Sequence, residues 1–342
     1  MVLCVKVPIK RAQEVKAFLI EKNLFDPDYR LKRTKTHIFF AVTKKSGITS
    51  RFSFAQLTDV SSLPNARKKT NMKSEVSKKL TKSELQHLRR AYDVIGTIAI
   101  LEIPPELKKK EKLIADTILD LHGNIKTVLK KSDIHGTEFR TQPMKYIAGV
   151  KTKETIHTEH GIRLKLNVEK VYFSPRLSTE RKRIAEQVKK AERILVMFSG
   201  CAPYPCVFAK RTQAKEIVGI ELNPAGHDYG VENVKLNKIQ NVTLINADAK
   251  QAKALTQTRF DRIVMPLPKT ADEFLDSALA VAKKGTIVHF YNFKELDKFH
   301  EAKESIKAAC KRKKKKCRIL RTVKCGQHSP KAYRLCVDFQ VL

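Results

Sequence analysis

The chain has 342 residues, enough for two or three domains, and its 69 Lys and Arg against 35 Asp and Glu leave a net charge of +34. That surplus projects a positive field toward polyanions, so nucleic acid is the leading partner, while 42% hydrophobic residues with 12 Gly, 13 Pro and no biased repeat exclude collagen-like and fully disordered classes. Apolar stretches such as residues 94–101 are far shorter than the roughly 18–20 residues of a membrane span, and Lys6, Lys10 and Arg11 interrupt the apolar part of any signal peptide, so a cytoplasmic chain without membrane attachment is expected.

Residues 1–60 alternate a strand (1–7), an amphipathic helix (12–21) and a second strand (37–42), which predicts a small α+β module. Residues 61–90 read as a basic linker or helix, with nine Lys or Arg against two Glu from Arg67 to Arg90. Residues 91–170 read as a second α+β module: 92–102 is one buried strand, 106–121 has helical spacing, and short strands follow.

From residue 171 to 342 the pattern becomes α/β. Apolar strands begin at Ile194, Ile217, Val242, Asp261 and Thr286, spaced 19 to 25 residues apart, which is what βαβ units with a crossover helix require. Strands 317–323 and 333–339 follow with no helix between them and should pair as an antiparallel hairpin at one edge. The expected fold is a doubly wound, Rossmann-like sheet of seven mostly parallel strands, preceded by the two smaller modules.

Ligands of such sheets sit beyond the carboxyl ends of the strands. The first strand runs into FSGCAPYPC (198–206), and the second ends at Glu221, 21 residues after Gly200, where a carboxylate can accept from both hydroxyls of a ribose. The loop reads Gly200-x-Ala202-x-x-Pro205; Pro203 and Pro205 have no N–H, so the amide cradle of a dinucleotide pyrophosphate is disfavoured. S-adenosylmethionine, with ribose and adenine but no phosphate, fits better. Asp248 follows the third strand, either beside an adenine or as a helix N-cap, and MPLPK (265–269) makes a stiff turn that suits a flat base.

VYFSPRLSTER (171–181), MFSGCAPYP, GIELNP followed by VENVKLNK, and MPLPK, in that order, together with TEFRTQ in the middle module, resemble the archaeal and eukaryotic tRNA guanosine-37 N1-methyltransferases. The resemblance runs along essentially the whole chain. It implies a class I S-adenosylmethionine-dependent methyltransferase whose first module touches the tRNA elbow. It implies Glu180 as general base and Arg140 at guanine O6; Phe198, Gly200, Ala202, Glu221, Asp248 and Pro268 at the cofactor; and Tyr172, Arg176, Arg181, Pro266 and Lys269 on the tRNA side. The chemistry asks for such groups: guanine N1 carries a proton that a base must remove, and negative charge then develops on O6. Glu180 near a helix start should stay ionised and ready to accept, or merely cap that helix. Arg140 could equally hold a phosphate, and Tyr172 could be core. The chain departs from the family pattern at Val196, where Asp is usual, at Ala202, where a second loop glycine is usual, and at Pro266-Leu267-Pro268, which lacks the Asn of Asn-Leu-Pro.

The basic run 311–316 reads as an RNA contact or a solvated charge run. His157, His160, His227 and His328 show no metal spacing, so no metal site is expected; the seven scattered cysteines read as reduced thiols. Cys201 and Cys206 flank the cofactor loop, but a pyrimidine C5-methyltransferase needs its Pro-Cys after the fourth strand. Competing functions are aminocarboxypropyl or methyl transfer to a wyosine precursor in tRNA, and non-catalytic tRNA binding. The chain is expected to act as a monomer.

Overall fold

Ala12, Val15 and Leu19 recur at helical spacing, and all three are buried on one face of the helix Ala12–Glu21. In the computed structural model that face packs with Val5, Val7 and Phe40 of an antiparallel sheet ordered Lys32–Arg33, His37–Ala41, Val2–Pro8 and Gln56–Val60. The two expected strands of this module are present. The outer strands escaped the sequence reading because one is two residues long and the other, QLTDV, is diluted by polar residues. The structure describes residues 1–45, 47–64, 72–89, 91–132, 139–327, 329 and 331–342, and forms two units, Met1–Glu75 and Val76–Leu342. Part of the basic stretch (67–71 and Arg90), part of TEFRTQ (Thr137 and Glu138) and His328 lie outside the described residues.

In the second unit, residues 92–102 do not form one strand. They make a hairpin, Asp93–Ile95 paired with Ile98–Leu101, because Gly96 at φ +55° turns the chain back between the two apolar runs. A Cβ there would lie 2.3 Å from Thr155 Oγ1, so only glycine fits. This hairpin continues through Thr127–Lys131 to Met144–Gly149, with the helix Glu111–Leu121, entered by a 3₁₀ turn Pro105–Lys110, as the crossover.

The seven-stranded sheet consists of β1 (Arg193–Met197), β2 (Glu216–Glu221), β3 (Val242–Asn246), β4 (Phe260–Met265), β5 (Ala282–Glu295), β6 (Cys317–Gln327) and β7 (Ala332–Val341). Their order is β3-β2-β1-β4-β5-β7-β6; β1 to β5 are mutually parallel and β7 runs antiparallel to both of its neighbours. Apolar runs such as ILVM in β1 are wholly buried because both faces are covered: one packs with Ala278, Leu279 and Ile306, the other with Val207, Phe208 and Ile184. Strand order reverses between β1 and β4, which opens a crevice above their carboxyl ends. Because β6 runs in the same direction as β5, the basic run 311–316 enters the sheet at the end opposite the carboxyl ends of β1 to β5. There Arg312 lies 2.9 Å and Lys313 3.6 Å from Asp276.

A hairpin, Glu154–Glu159 with Ile162–Asn167, is joined to the sheet by asparagine side chains from the helix Pro224–Leu236 and the residue that ends it. The Asn233 amide acts as a strand edge: its oxygen accepts from Lys165 N at 2.7 Å, and its nitrogen donates to Lys165 O at 2.9 Å and to Cys201 O in the loop after β1 at 3.0 Å. Asn237 repeats the pairing on Arg163. Asn233 is fully buried, so Asn233→Ala orphans three backbone groups. Urea unfolding should show a loss of about 2–4 kcal/mol, against less than about 1 kcal/mol for a surface Asn→Ala control such as Asn124→Ala.

Candidate active site

Three residues of the loop after β1 take left-handed backbone: Phe198 (φ +58°), Gly200 (+56°) and Ala202 (+63°). The loop is held in this shape by one carboxylate. Glu221, at the end of β2, accepts from Gly200 N at 2.6 Å on one oxygen and from Asn223 N at 2.8 Å on the other. Burial raises the Glu221 pKa above its usual range, opposed by these amide bonds. The remaining lone pairs open into a crevice of about 1300 Å³.

Phe198, Gly200, Glu221, Asp248 and Pro268, five of the residues expected at the cofactor, line this crevice, as do Arg140, Tyr172, Arg181, Pro266 and Lys269. Phe198 meets Phe274 edge-on, with ring centroids 4.7 Å apart. Asp248 is also a cap, its side chain accepting from Lys250 N at 2.8 Å. The proline turn is tied to β5 where Phe293 N donates to Pro268 O at 3.1 Å. Ala202 does not face the crevice. It is fully buried beneath the loop, 3.5 Å from where a Cβ on Gly230 would stand, so its methyl packs into the core rather than beside the cofactor.

On the opposite wall, the Arg140 guanidinium lies 5.4 Å from the Tyr172 ring centroid and 6.0 Å from that of Phe293. Arg334 of β7 lies 5.4 Å from the Phe293 centroid and donates to Tyr172 Oη at 3.2 Å. Burial, and then the charge of Arg334, pull the Arg140 pKa below its ordinary value. Arg334, Phe293 and Tyr204 were not among the expected site residues. Their approach depends on the register of β5 with β7 and on the loop after β1, which local sequence does not encode.

Three of the expected residues are held by partners within the protein. Glu180 is not an open base: it is 5% exposed, takes two bonds from Arg183 at 2.7 Å each, accepts from Tyr291 Oη at 2.6 Å, and is not among the residues lining the crevice. Arg181 lines the crevice but is 1% exposed and forked onto Glu159 at 2.5 and 2.6 Å, so much of its charge is neutralised within the protein. Burial pushes the Glu159 pKa up, but bonds from His157 and Arg181 outweigh it and hold that carboxyl at about 2. Arg176 pairs with Asp93 at 2.7 Å, outside the crevice-lining residues.

Behind Glu180 lies a chain of alternating charge. Arg183 donates to Asp338 at 2.7 Å, His289 Nδ1 stands 2.6 Å from Asp338, and Arg262 donates to His289 Nε2 at 2.7 Å and to Glu192 at 2.7 and 3.0 Å. A guanidinium can only donate, so His289 Nε2 accepts and its proton sits on Nδ1, facing Asp338. The imidazole is therefore neutral. His289, Cys336 and Asp338 bring possible metal donors within 4.8 Å of one another, but two guanidiniums already hold this group, which disfavours a further cation. Burial pushes the Cys201 and Cys206 thiols up to about 12, so neither is a nucleophile at neutral pH.

Burial lowers the His289 pKa. The unfolded imidazole takes up its proton near 6.5, so the stability contributed by His289 is complete above that pH and is lost as pH falls below it. Urea unfolding of the wild type should weaken between pH 7.5 and 5.5 by about 1 kcal/mol more than that of His289→Gln. Parallel pH profiles would contradict the neutral assignment.

Residues 155–320 match the family model of the TRM5/TYW2 methyltransferase domain, residues 72–152 that of the TYW2 N-terminal domain, and residues 4–47 that of the tRNA methyltransferase 5 N-terminal domain. The chain is 37% identical to tRNA (guanine(37)-N(1))-methyltransferase Trm5b of Pyrococcus abyssi, over 100% of this chain and 99% of that protein. The crystal structure of Trm5b from Pyrococcus abyssi superposes with a TM-score of 0.76 at 34% identity, covering 100% of this chain and 99% of that one. A complex of aTrm5 with tRNALeu gives a TM-score of 0.70 at 29% identity, covering 99% of both chains. Trm5 of Methanocaldococcus jannaschii in complex with adenosine gives 0.68 at 27% identity, also covering 99% of both.

Proposed function

Because the chain belongs to the TRM5/TYW2 methyltransferase family, we propose that it transfers the methyl group of S-adenosylmethionine to N1 of guanosine 37, beside the anticodon of tRNA. The observation that carries this reading is the crevice itself. One wall is built for a nucleoside and the other for an electron-rich base, and the net charge of +34 draws the polyanion that delivers it.

The residues fit the cofactor. The Glu221 carboxylate is fixed by two backbone amides with acceptor capacity left for a ribose diol, and Pro203 and Pro205 leave the loop short of amides for a pyrophosphate. In our reading Glu221 holds the ribose, Asp248 the adenine edge, and Phe198 with Pro268 the flanks. When bound, S-adenosylmethionine supplies an electrophilic methyl group on a sulfonium. The rest falls to the chain. Pro266 and Pro268 form a stiff face for the base, Tyr172 and Phe293 present aromatic surface, and Arg140 faces the oxygen on which charge develops. Glu180 is the proposed base for the N1 proton. Since Arg183 and Tyr291 saturate it here, the nucleotide must draw it away from Arg183 before it can accept. Residues 1–60 are the proposed tRNA-elbow module, 61–90 a basic connection, 91–170 the RNA-binding middle module and 171–342 the catalytic domain. The protein is proposed to work in the cytoplasm as a monomer. Among the described residues no helix is long and apolar enough to cross a membrane.

Incubation with unmodified tRNA carrying G37 and methyl-labelled cofactor should place the label in 1-methylguanosine. Label transferred only from the carboxyl carbon would establish aminocarboxypropyl transfer instead. Glu180→Gln should lower the single-turnover rate by at least about 100-fold, within the range of general-base catalysis, with tRNA affinity changed less than about threefold. Equal turnover by that variant would remove Glu180 from the chemistry.

A further inference from the structure

Several arginines of the second unit are paired inside the protein: Arg181 with Glu159, Arg183 with Glu180 and Asp338, and Arg262 with Glu192. Arg334 is different. It stands directly across from Phe293 in the β5–β7 ladder and lines the crevice. It has no carboxylate within ion-pair distance among the described residues, and its buried Nε–H has no hydrogen-bond partner among them. Its side-chain bond among the described residues, 3.2 Å to Tyr172 Oη, leaves most of the fork open. Arg140 shares the same two aromatic rings, so two like charges converge at one mouth with no carboxylate paired to either among the described residues. A buried donor without a partner is unfavourable, and so is an unneutralised guanidinium pair; both conditions are relieved by a ligand rich in acceptors.

Across the crevice, the turn after β4 begins Pro266-Leu267-Pro268, and none of these three side chains can donate to a base. Guanine presents O6 and N7 side by side as two acceptors that match the fork of an arginine. We propose that Arg334 is the guanine-reading residue of this chain, donating to the O6/N7 edge of the target base in place of the amide that Pro266 lacks, while Arg140 faces O6 from the other side. This deepens the guanosine-37 reading and rests on it. Tyr172 then acts as a positioning residue: by accepting from Nη2 it sets the plane of the fork.

The test uses full-length tRNA transcripts with guanosine or 7-deazaguanosine at position 37 and measures single-turnover methylation. The wild type is assayed first on guanosine; absence of 1-methylguanosine at that step counts against the proposed function itself, independently of Arg334. Given that activity, Arg334→Ala should slow methylation of guanosine by about 10- to 100-fold, and the wild type should lose a smaller factor, at least about threefold, on 7-deazaguanosine, which lacks N7 but keeps O6. On 7-deazaguanosine the substitution should then cost at least about threefold less than it does on guanosine, because one of the two acceptors of the fork is gone and only O6 remains. Arg334→Lys, which keeps the charge without the fork, should stay within about threefold of Arg334→Ala on guanosine. S-adenosylhomocysteine affinity and melting temperature report folding. An equal loss on both nucleotides, whether through salt-dependent tRNA affinity as for a phosphate contact or through loss of fold, overturns the proposal. So does full activity of Arg334→Lys.

Discussion

The Glu221 carboxylate, gripped by the amides of Gly200 and Asn223, ties the end of β2 to the loop after β1, and the site depends on that link. The loop carries left-handed Phe198 and Ala202, which L-residues avoid unless their surroundings hold them. Those surroundings are the Glu221 clamp, the Asn233 amide on Cys201 O and the core packing of Ala202. The clamp gathers amide donors around one negative charge, and it leaves that charge at the crevice wall rather than in the core. An apolar side chain at 221 would release the loop and remove the proposed ribose acceptor together.

A second constraint lies deeper. From Glu192 through Arg262, His289, Asp338 and Arg183 to Glu180, donors and acceptors alternate from one side of the sheet to the back of the crevice. Taken singly, such buried charges are expensive to desolvate. Linked, each has its complement, and the chain fixes the histidine tautomer and the resting position of Glu180. Reaching Glu180 therefore requires breaking a bond at the end of this series, and in the proposed mechanism that bond is broken by the arriving nucleotide.

Much of the architecture was legible in the sequence because it rests on local periodicity. The 19- to 25-residue spacing of apolar strands fixes the parallel sheet, and Gly200, Glu221 and Asp248 fall at strand ends where such sheets bind ligands. The turn at Gly96 was visible too, but a continuous apolar run outweighed a single glycine in the reading. What local sequence could not show was pairing at long range. Glu180 looks free until Tyr291, 111 residues later, is brought against it; Arg181 looks unpaired until Glu159 meets it across a hairpin. Arg334 gains its place only from the β5–β7 register. The basic run 311–316 illustrates the same limit, since its charge is plain in the sequence but its position at the far end of the sheet follows from the direction of β6.

The central claim is that the Glu221 carboxylate is the anchor of a nucleoside cofactor in the crevice. Calorimetric titration of S-adenosylhomocysteine into wild type and Glu221→Gln tests it most directly. The account predicts binding weaker by about 10- to 100-fold in the variant, the range expected for losing hydrogen bonds to a charged acceptor. Affinities equal within about twofold, in a variant that melts like the wild type, would contradict it.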